Sequence, residues 1–282
     1  MVLICRICSS RDLTVINKVK SPHTHHYYKL YVCNNCRSRL FDTDEYPVNL
    51  KELYNDLSKK EVYISTDFYV SDYWKHEVML IKETFGSIPK SVLDVGCRTG
   101  DFLIHWPQDI ERIGVELSSL YAEIAIRRGL HIIQNNLEDI EFKRKFDVVT
   151  CYAILEHLKY PMGFIKKLTC IINDNGLVVI MIPSFQTLKA MLLELLHIRW
   201  HMYCPPEHYN FFSRDYIDGY LKSHGLFLTK RIYTSGGMFN PLTHIPVFRS
   251  IWTRLMWVID TYTYLNRLPI FDHMYSYYVK HT

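Results

Sequence analysis

Ser91-Val-Leu-Asp-Val-Gly-Cys-Arg-Thr-Gly100 is an apolar stretch that ends in an acid and turns through two glycines. Val92, Leu93 and Val95 supply a buried parallel strand, and Gly96 and Gly100 let a ligand approach backbone N–H groups closely. Asp94 falls at the strand's carboxyl end, where open α/β sheets bind ligands. This is the pattern of a nucleotide-cofactor loop. It lacks the G-x-G-x-x-G run of a dinucleotide fingerprint and the G-K-[ST] triplet of a P-loop, which weakens both phosphate-cradling readings. The next apolar stretch, Arg112–Glu116, ends in a second acid about 20 residues past the first loop glycine, the distance at which a carboxylate accepts hydrogen bonds from both ribose hydroxyls. A separate chemistry lies near the start of the chain. Cys5-Arg-Ile-Cys8 and Cys33-Asn-Asn-Cys36 are two C-x-x-C knuckles, each able to bring two thiolates to one tetrahedral zinc. The gap between them exceeds the commonest ribbon spacing, as a short hairpin insertion would explain. Disulfide and redox readings stay open, although a thioredoxin-like pair belongs in a βαβ context that is missing here. His23, His25 and His26 lie between the knuckles, as substitute ligands or as an exposed hairpin tip.

The elements that must hold these groups follow from periodicity. Trp74, Val78, Ile81 and Phe85 recur at helical spacing after Ser71, a candidate cap, and before Gly86 and Pro89. Downstream, strands and helices alternate: helix 118–128, strand 146–152, helix 161–172 and strand 177–183. Such alternation predicts a parallel sheet flanked by helices. The chain has 282 residues, 48% of them hydrophobic, enough for one α/β domain and a small accessory module. The net charge of +4 neither demands nor excludes an acidic partner. No apolar run reaches transmembrane length, and Met1–Cys8 lacks the charge and apolar length of a signal peptide, so a cytoplasmic protein with reduced thiols is expected. On that basis Cys97, Cys151, Cys170 and Cys204 are packing residues.

Asp94-x-Gly96 with Gly100, the acid Glu116, and Phe146-Asp-Val-Val-Thr-Cys-Tyr-Ala-Ile-Leu-Glu-His-Leu158 occur in the order and spacing of the class I S-adenosylmethionine-dependent methyltransferases, which the chain resembles over roughly residues 70–235. The resemblance implies an α/β fold: a Rossmann-like seven-stranded sheet with helices on both faces, here with a small zinc ribbon at the amino terminus. It implies a ribbon over 1–42, a linker or cofactor-covering segment over 43–70, and a methyltransferase domain over 71–282 that includes an amphipathic helical insertion at about 246–268. Asp94, Gly96 and Gly100 would hold the amino-acid end of S-adenosylmethionine and Glu116 the ribose. Leu117, Tyr152, Asn136 and Leu137 would complete the site, Asn136 standing where the family often has an Asp that reads adenine; Asn135-Asn136 is equally an ordinary turn. Arg98 replaces the usual middle glycine, so its side chain must face solvent or cap the cofactor carboxylate.

Methyl transfer needs a nucleophile placed behind the methyl carbon and a group to take its proton. Glu156-His157 and Glu207-His208 follow the fourth and fifth strands as candidate bases. His208 follows a rigid Pro-Pro and precedes Ser213, a candidate helix cap, and is either catalytic or a satisfied structural histidine; the same two roles are open to His157. The ribbon, the core and Pro-x-Glu-His-x-x-Phe-Phe-Ser together resemble methyltransferases of sugar, surface-polysaccharide and natural-product pathways, implying a small hydroxylated or sugar-linked acceptor. Two rivals are an RNA methyltransferase, with Lys18, Lys20, Tyr27, Tyr28, Lys29 and Tyr31 as charge and stacking surface, and an inactive cofactor-binding scaffold. The 246–268 face could pack on the core, pair with another chain, close over substrate or touch a membrane surface. Met274–Lys280 is expected to be the last, antiparallel strand.

Overall fold

The computed structural model describes residues 3–43, 68–135, 140–234 and 264–281. Its centre is a seven-stranded sheet of β4 (Ser91–Val95), β5 (Glu111–Glu116), β6 (His131–Gln134), β7 (Phe146–Tyr152), β8 (Ile172–Pro183), β10 (Leu226–Thr234) and β11 (His273–Lys280), in the order β10-β11-β8-β7-β4-β5-β6. The pairs from β6 through to β8 are parallel, and β11 runs antiparallel between β8 and β10, as expected for the last strand. From β4 the chain builds outward through β5 and β6, then returns to lay β7 on the other side. The reversal between β4 and β7 is a topological switch point, and ligand crevices form there at the carboxyl ends of the strands.

Alternation along the strands assigns two faces. Leu93, Val95, Val149 and Cys151 share one core with Phe164, Ile165 and Leu168 of α3 (Pro161–Cys170) and Ile217 and Leu221 of α5 (Arg214–Ser223). Val92, Val148 and Val179 share another with Val78 and Ile81 of α1 (Phe68–Phe85) and Ala125 of α2 (Ser119–Arg127). Helices thus cover both faces, which is why β4 and β7 read as unbroken apolar runs.

Several boundaries moved. The first helix starts at Phe68 rather than Ser71, the helix expected over 161–172 ends at Cys170, and β8 begins at Ile172, five residues before the apolar run. Ser213 takes the N-cap position of α5, yet its side chain makes no cap bond; its N–H donates to Ser38 Oγ at 3.0 Å. β6 and β10 had no counterpart in the periodicity. Cys97 and Cys151 are buried, whereas Cys170 is exposed and does not pack as expected. Most of the 246–268 segment and the 44–67 part of the linker lie outside the described residues. Among the described residues, no helix is long and apolar enough to cross a membrane.

A second sheet, ordered β1-β2-β3-β9, contains β1 (Leu13–Lys20), β2 (Tyr27–Cys33), β3 (Arg39–Phe41) and β9 (Asn210–Phe211). Its last strand comes from beyond β8, so the cysteine module and the large domain share a sheet. The faces of β3 divide between cores: Leu40 joins that of α3 and α5, and Phe41 packs with Trp200, Tyr203, Phe211 and Ala190 of α4 (Leu188–Leu195).

One buried acid stands out on α1. Glu77 is 3% exposed and accepts hydrogen bonds from Tyr152 Oη at 3.0 Å and Tyr277 Oη at 2.9 Å. Burial lifts its carboxyl from 4.5 to about 7, against the pull of the two hydroxyls. Between those values the folded chain binds more protons here than the unfolded one, so this contribution to stability is lost as pH rises through the window. Glu77→Gln keeps an acceptor and removes the titration. Its thermal midpoint should therefore gain on the wild type as pH rises from about 5 to about 8, by the equivalent of roughly 2–3 kcal/mol at about 1.4 kcal/mol per pKa unit. Scanning calorimetry checks this, and parallel pH profiles would contradict it.

Candidate functional site

The loop after β4 is held by its own strands. Gly96 N–H and Cys97 N–H both donate to Val115 O, at 2.8 and 3.0 Å, folding the loop back over β5. Gly96 and Gly100 have φ of 76° and 77°, where a glycine is least strained. Arg98, with φ of 48°, also takes the left-handed conformation, at a cost of roughly 1–2 kcal/mol for an ordinary residue. Its contacts offset that cost. Its N–H donates to Glu116 Oε2 at 2.9 Å, its guanidinium carbon lies 5.2 Å from the Tyr121 ring centroid, and Nη2 reaches Tyr121 Oη at 3.3 Å. The side chain departing from the family pattern is thus turned onto α2.

Asp94 is 3% exposed and accepts from Thr150 Oγ1 at 2.7 Å. Burial raises its carboxyl from 3.8 to about 7, opposed by the Thr150 bond and reinforced by Glu116 nearby. Glu116 is also buried and raised by desolvation, while Ser118 N–H at 2.7 Å on Oε1 and Arg98 N–H on Oε2 favour its charged form. Each carboxylate oxygen keeps a second lone pair, so Glu116 can still accept from a ligand. Ser118 Oγ is buried without a partner among the described residues, an unspent polar group beside Glu116 that fits a polyhydroxylated ligand. Leu117 is exposed at the end of β5. Tyr152 is committed to Glu77 through its hydroxyl, with Trp74 and Phe102 at centroid distances of 5.1 and 5.3 Å. Asn136 and Leu137 lie outside the described residues.

Glu156 and His157 belong to a single turn, Leu155–His157, directly after β7. A Cβ on Gly96 would stand 2.2 Å from Ile154 Cδ1, so the glycine loop and this turn are in contact. His157 and His208 meet edge to face with centroids 4.7 Å apart. Their Nδ1 atoms donate to backbone carbonyls, His157 to Glu207 O at 2.9 Å and His208 to Met202 O at 2.8 Å. Burial keeps both imidazoles below their ordinary value, His208 well below, which leaves them neutral with the remaining lone pair on Nε2. Glu156 is 1% exposed, its Oε2 has no hydrogen-bond partner among the described residues, and burial raises it to about 8. One ligand atom from each of Glu156, His157 and His208 lies within 4.8 Å of the others, a set able to take up a proton or hold a cation. Glu207 stands apart from this group: its carboxylate bonds His23 Nε2 at 3.0 Å.

The four knuckle cysteines also converge. Cys5 and Cys36 sulfurs are 3.7 Å apart and those of Cys8 and Cys33 are 3.4 Å apart. A tetrahedron built on bonds of about 2.3 Å has edges of about 3.8 Å, so this set fits a zinc ion closely. The Cys5 hydrogen bond pushes the Cys36 thiol down to about 5, while the same contact and then burial raise Cys5.

Two groups escaped the sequence reading. Glu77 was signalled by an acid between Trp74 and Val78 on an otherwise apolar helical face. Asp272, fully buried, accepts from Trp200 Nε1 at 2.7 Å and pairs with Lys189; nothing local to its sequence marks it.

A family model described as a methyltransferase domain matches residues 69–230. That is more than half the chain, which therefore belongs to this family and has the fold of the S-adenosylmethionine-dependent methyltransferases. Among solved structures, magnesium protoporphyrin IX methyltransferase from Synechocystis PCC 6803, with bound SAH, is similar with a TM-score of 0.56 and 14% identity, over 82% of this chain and 98% of that one. The plantazolicin methyltransferase BamL, in complex with a triazolic desmethylPZN analog and SAH, gives 0.54 and 16%, over 84% and 92%. Among curated proteins, the ubiquinone biosynthesis O-methyltransferase of Haemophilus ducreyi is 32% identical over 124 residues, 39% of this chain and 52% of its own length. That of Colwellia psychrerythraea is 26% identical over 188 residues, 62% of this chain and 75% of its own length. The matched part of the chain spans about half the length of the first of these relatives.

Gly96 is where loop, strand and the Glu156–His157 turn meet, so Gly96→Ala combines left-handed strain with a push on Ile154. Denaturant unfolding should show a loss of about 1–3 kcal/mol. An unchanged midpoint would mean that the loop does not hold this conformation.

Proposed function

We propose that this protein is an S-adenosylmethionine-dependent methyltransferase acting on a hydroxyl of a small or sugar-linked acceptor, in a surface-polysaccharide or natural-product pathway. The observation that carries the reading is the contact between the glycine loop and the Glu156–His157 turn, which sets two buried carboxylates and a neutral His–His–Glu group side by side at the switch point. Asp94 and the backbone around Gly96 and Gly100 would hold the amino-acid end of the cofactor, and Glu116 and Ser118 the ribose. Leu117 would lie against the adenine. S-adenosylmethionine supplies an electrophilic methyl when bound. Around it, His208 and His157 present neutral imidazoles that can accept the acceptor's proton, and Glu156, with its raised pKa, can receive or return one. The O-methyltransferase names of the curated relatives support oxygen as the acceptor atom. Of the tyrosines that the RNA alternative would stack on, Tyr28 is completely buried against Val19, Leu30 and Phe41, whereas Tyr27 is exposed.

Asp94→Ala and Glu116→Ala should each weaken S-adenosylhomocysteine binding by about tenfold or more, the loss of charge-assisted hydrogen bonds. His208→Ala should leave that affinity within about threefold while lowering kcat by about 10²–10⁴. Loss of cofactor binding in His208→Ala would refute its place on the acceptor side.

The four cysteines hold zinc in this reading, as a closed structural site. Elemental analysis of protein prepared without chelator should find close to one zinc per chain, and Cys33→Ser should lose it. Metal-free wild type that is fully folded would sink the ribbon.

A further inference from the structure

The segment that carries Glu207 and His208 is held from two sides, and one of them is the cysteine module. β9 pairs with β3 through Arg39 opposite Phe211 and Leu40 opposite Asn210. Phe41 N–H donates to Tyr209 O at 2.9 Å, and Ser213 N–H to Ser38 Oγ at 3.0 Å. Ser38 is itself tied to the knuckle, accepting Cys33 N–H at 2.9 Å through its carbonyl. Arg6, between Cys5 and Cys8, donates to Phe41 O at 2.8 Å and places its guanidinium carbon 5.5 Å from the Tyr209 ring centroid. On the opposite side the segment grips the turn after β7: Tyr209 N–H donates to Glu156 O at 2.7 Å, and Asn210 Nδ2 to Leu158 O at 2.8 Å. None of these bonds involves the cofactor loop.

His23 adds a side-chain link to this backbone clamp. It sits at the tip of the β1–β2 hairpin, ordered by Ser21 Oγ, which accepts the N–H groups of His23 and Thr24 at 3.0 and 2.9 Å. Its Nε2 reaches Glu207 Oε2 at 3.0 Å, while Glu207 O accepts from His157 Nδ1 at 2.9 Å. The contact is partly exposed, and pairs of that kind add little to global stability. Its consequence is geometric, because Glu207 is the residue whose carbonyl orients His157.

We propose that the cysteine ribbon is a wall of the acceptor half of the site, and that His23 is a positioning residue that acts through Glu207 on His157 and His208. The inference rests on the methyl-transfer reading for the meaning of the site, and on the geometry alone for the coupling.

The test uses the whole 282-residue chain, zinc-loaded, with His23→Ala and His23→Gln. In His23→Ala, hydrogen exchange of peptides covering 154–158 and 207–213 should quicken by about tenfold. The imidazole resonances of His157 and His208 should shift, although His23 is not among their hydrogen-bond or ring partners named above. The thermal midpoint should stay within about 2 °C, and S-adenosylhomocysteine affinity within about twofold. His23→Gln, which keeps a donor for Glu207, should restore both signals. Faster exchange confined to 21–26, with the two histidine resonances unmoved, would overturn the proposal. So would an equal loss of protection in β4, or failure of His23→Gln to rescue. Wild type that binds no S-adenosylhomocysteine but shows the coupled exchange would instead refute the methyl-transfer reading and leave the coupling standing.

Discussion

The site depends on keeping two carboxylates side by side out of water. Asp94 and Glu116 lie at the carboxyl ends of adjacent parallel strands, both buried, and Glu116 raises the cost of ionising Asp94. Hydrogen bonds make the arrangement tolerable: Thr150 holds Asp94 from β7, and the N–H groups of Arg98 and Ser118 hold Glu116 from its own flanks. Every one of these donors depends on the sheet order. β7 lies beside β4 because the chain reverses there, and the loop folds over β5 because its N–H groups find Val115 O. A site made of buried acids is thus a product of topology, and a cationic or polyhydroxylated ligand is the natural complement to it.

The same economy shapes the other half of the site. Glu156 and His157 leave β7 on a short turn that has little structure of its own. It is fixed by the loop at Gly96 on one side and by the 207–213 segment on the other. That segment is in turn paired to β3. The cysteine module therefore completes the second sheet and contributes to two of the molecule's apolar cores.

Legibility in the sequence followed burial. β4 and β7 could be read because strands covered on both faces are continuous apolar runs, and the acids at the ends of β4 and β5 fell at ligand-binding spacing. β6 and β10 could not, because as edge strands they carry polar and basic residues such as exposed Gln134 and half-buried Lys230. The start of β8 was hidden because Asn173-Asp-Asn-Gly176 has the composition of a turn. Glu207 and His208 read as a pair by adjacency, yet they leave a turn in which both N–H groups donate to Cys204 O, and the fold sends one side chain to His23 and the other to His157. β9, with two residues, is visible only through its partner.

The central claim is that the crevice between β4 and β7 is a cofactor site despite Arg98. Calorimetric titration of the purified wild-type chain with S-adenosylhomocysteine tests it most directly. Saturable one-to-one binding with a dissociation constant of about 1–100 μM is the result predicted, an affinity of roughly 5–8 kcal/mol. Absence of heat in folded protein at millimolar ligand would contradict it, and would leave the buried acids at Asp94 and Glu116 without a ligand.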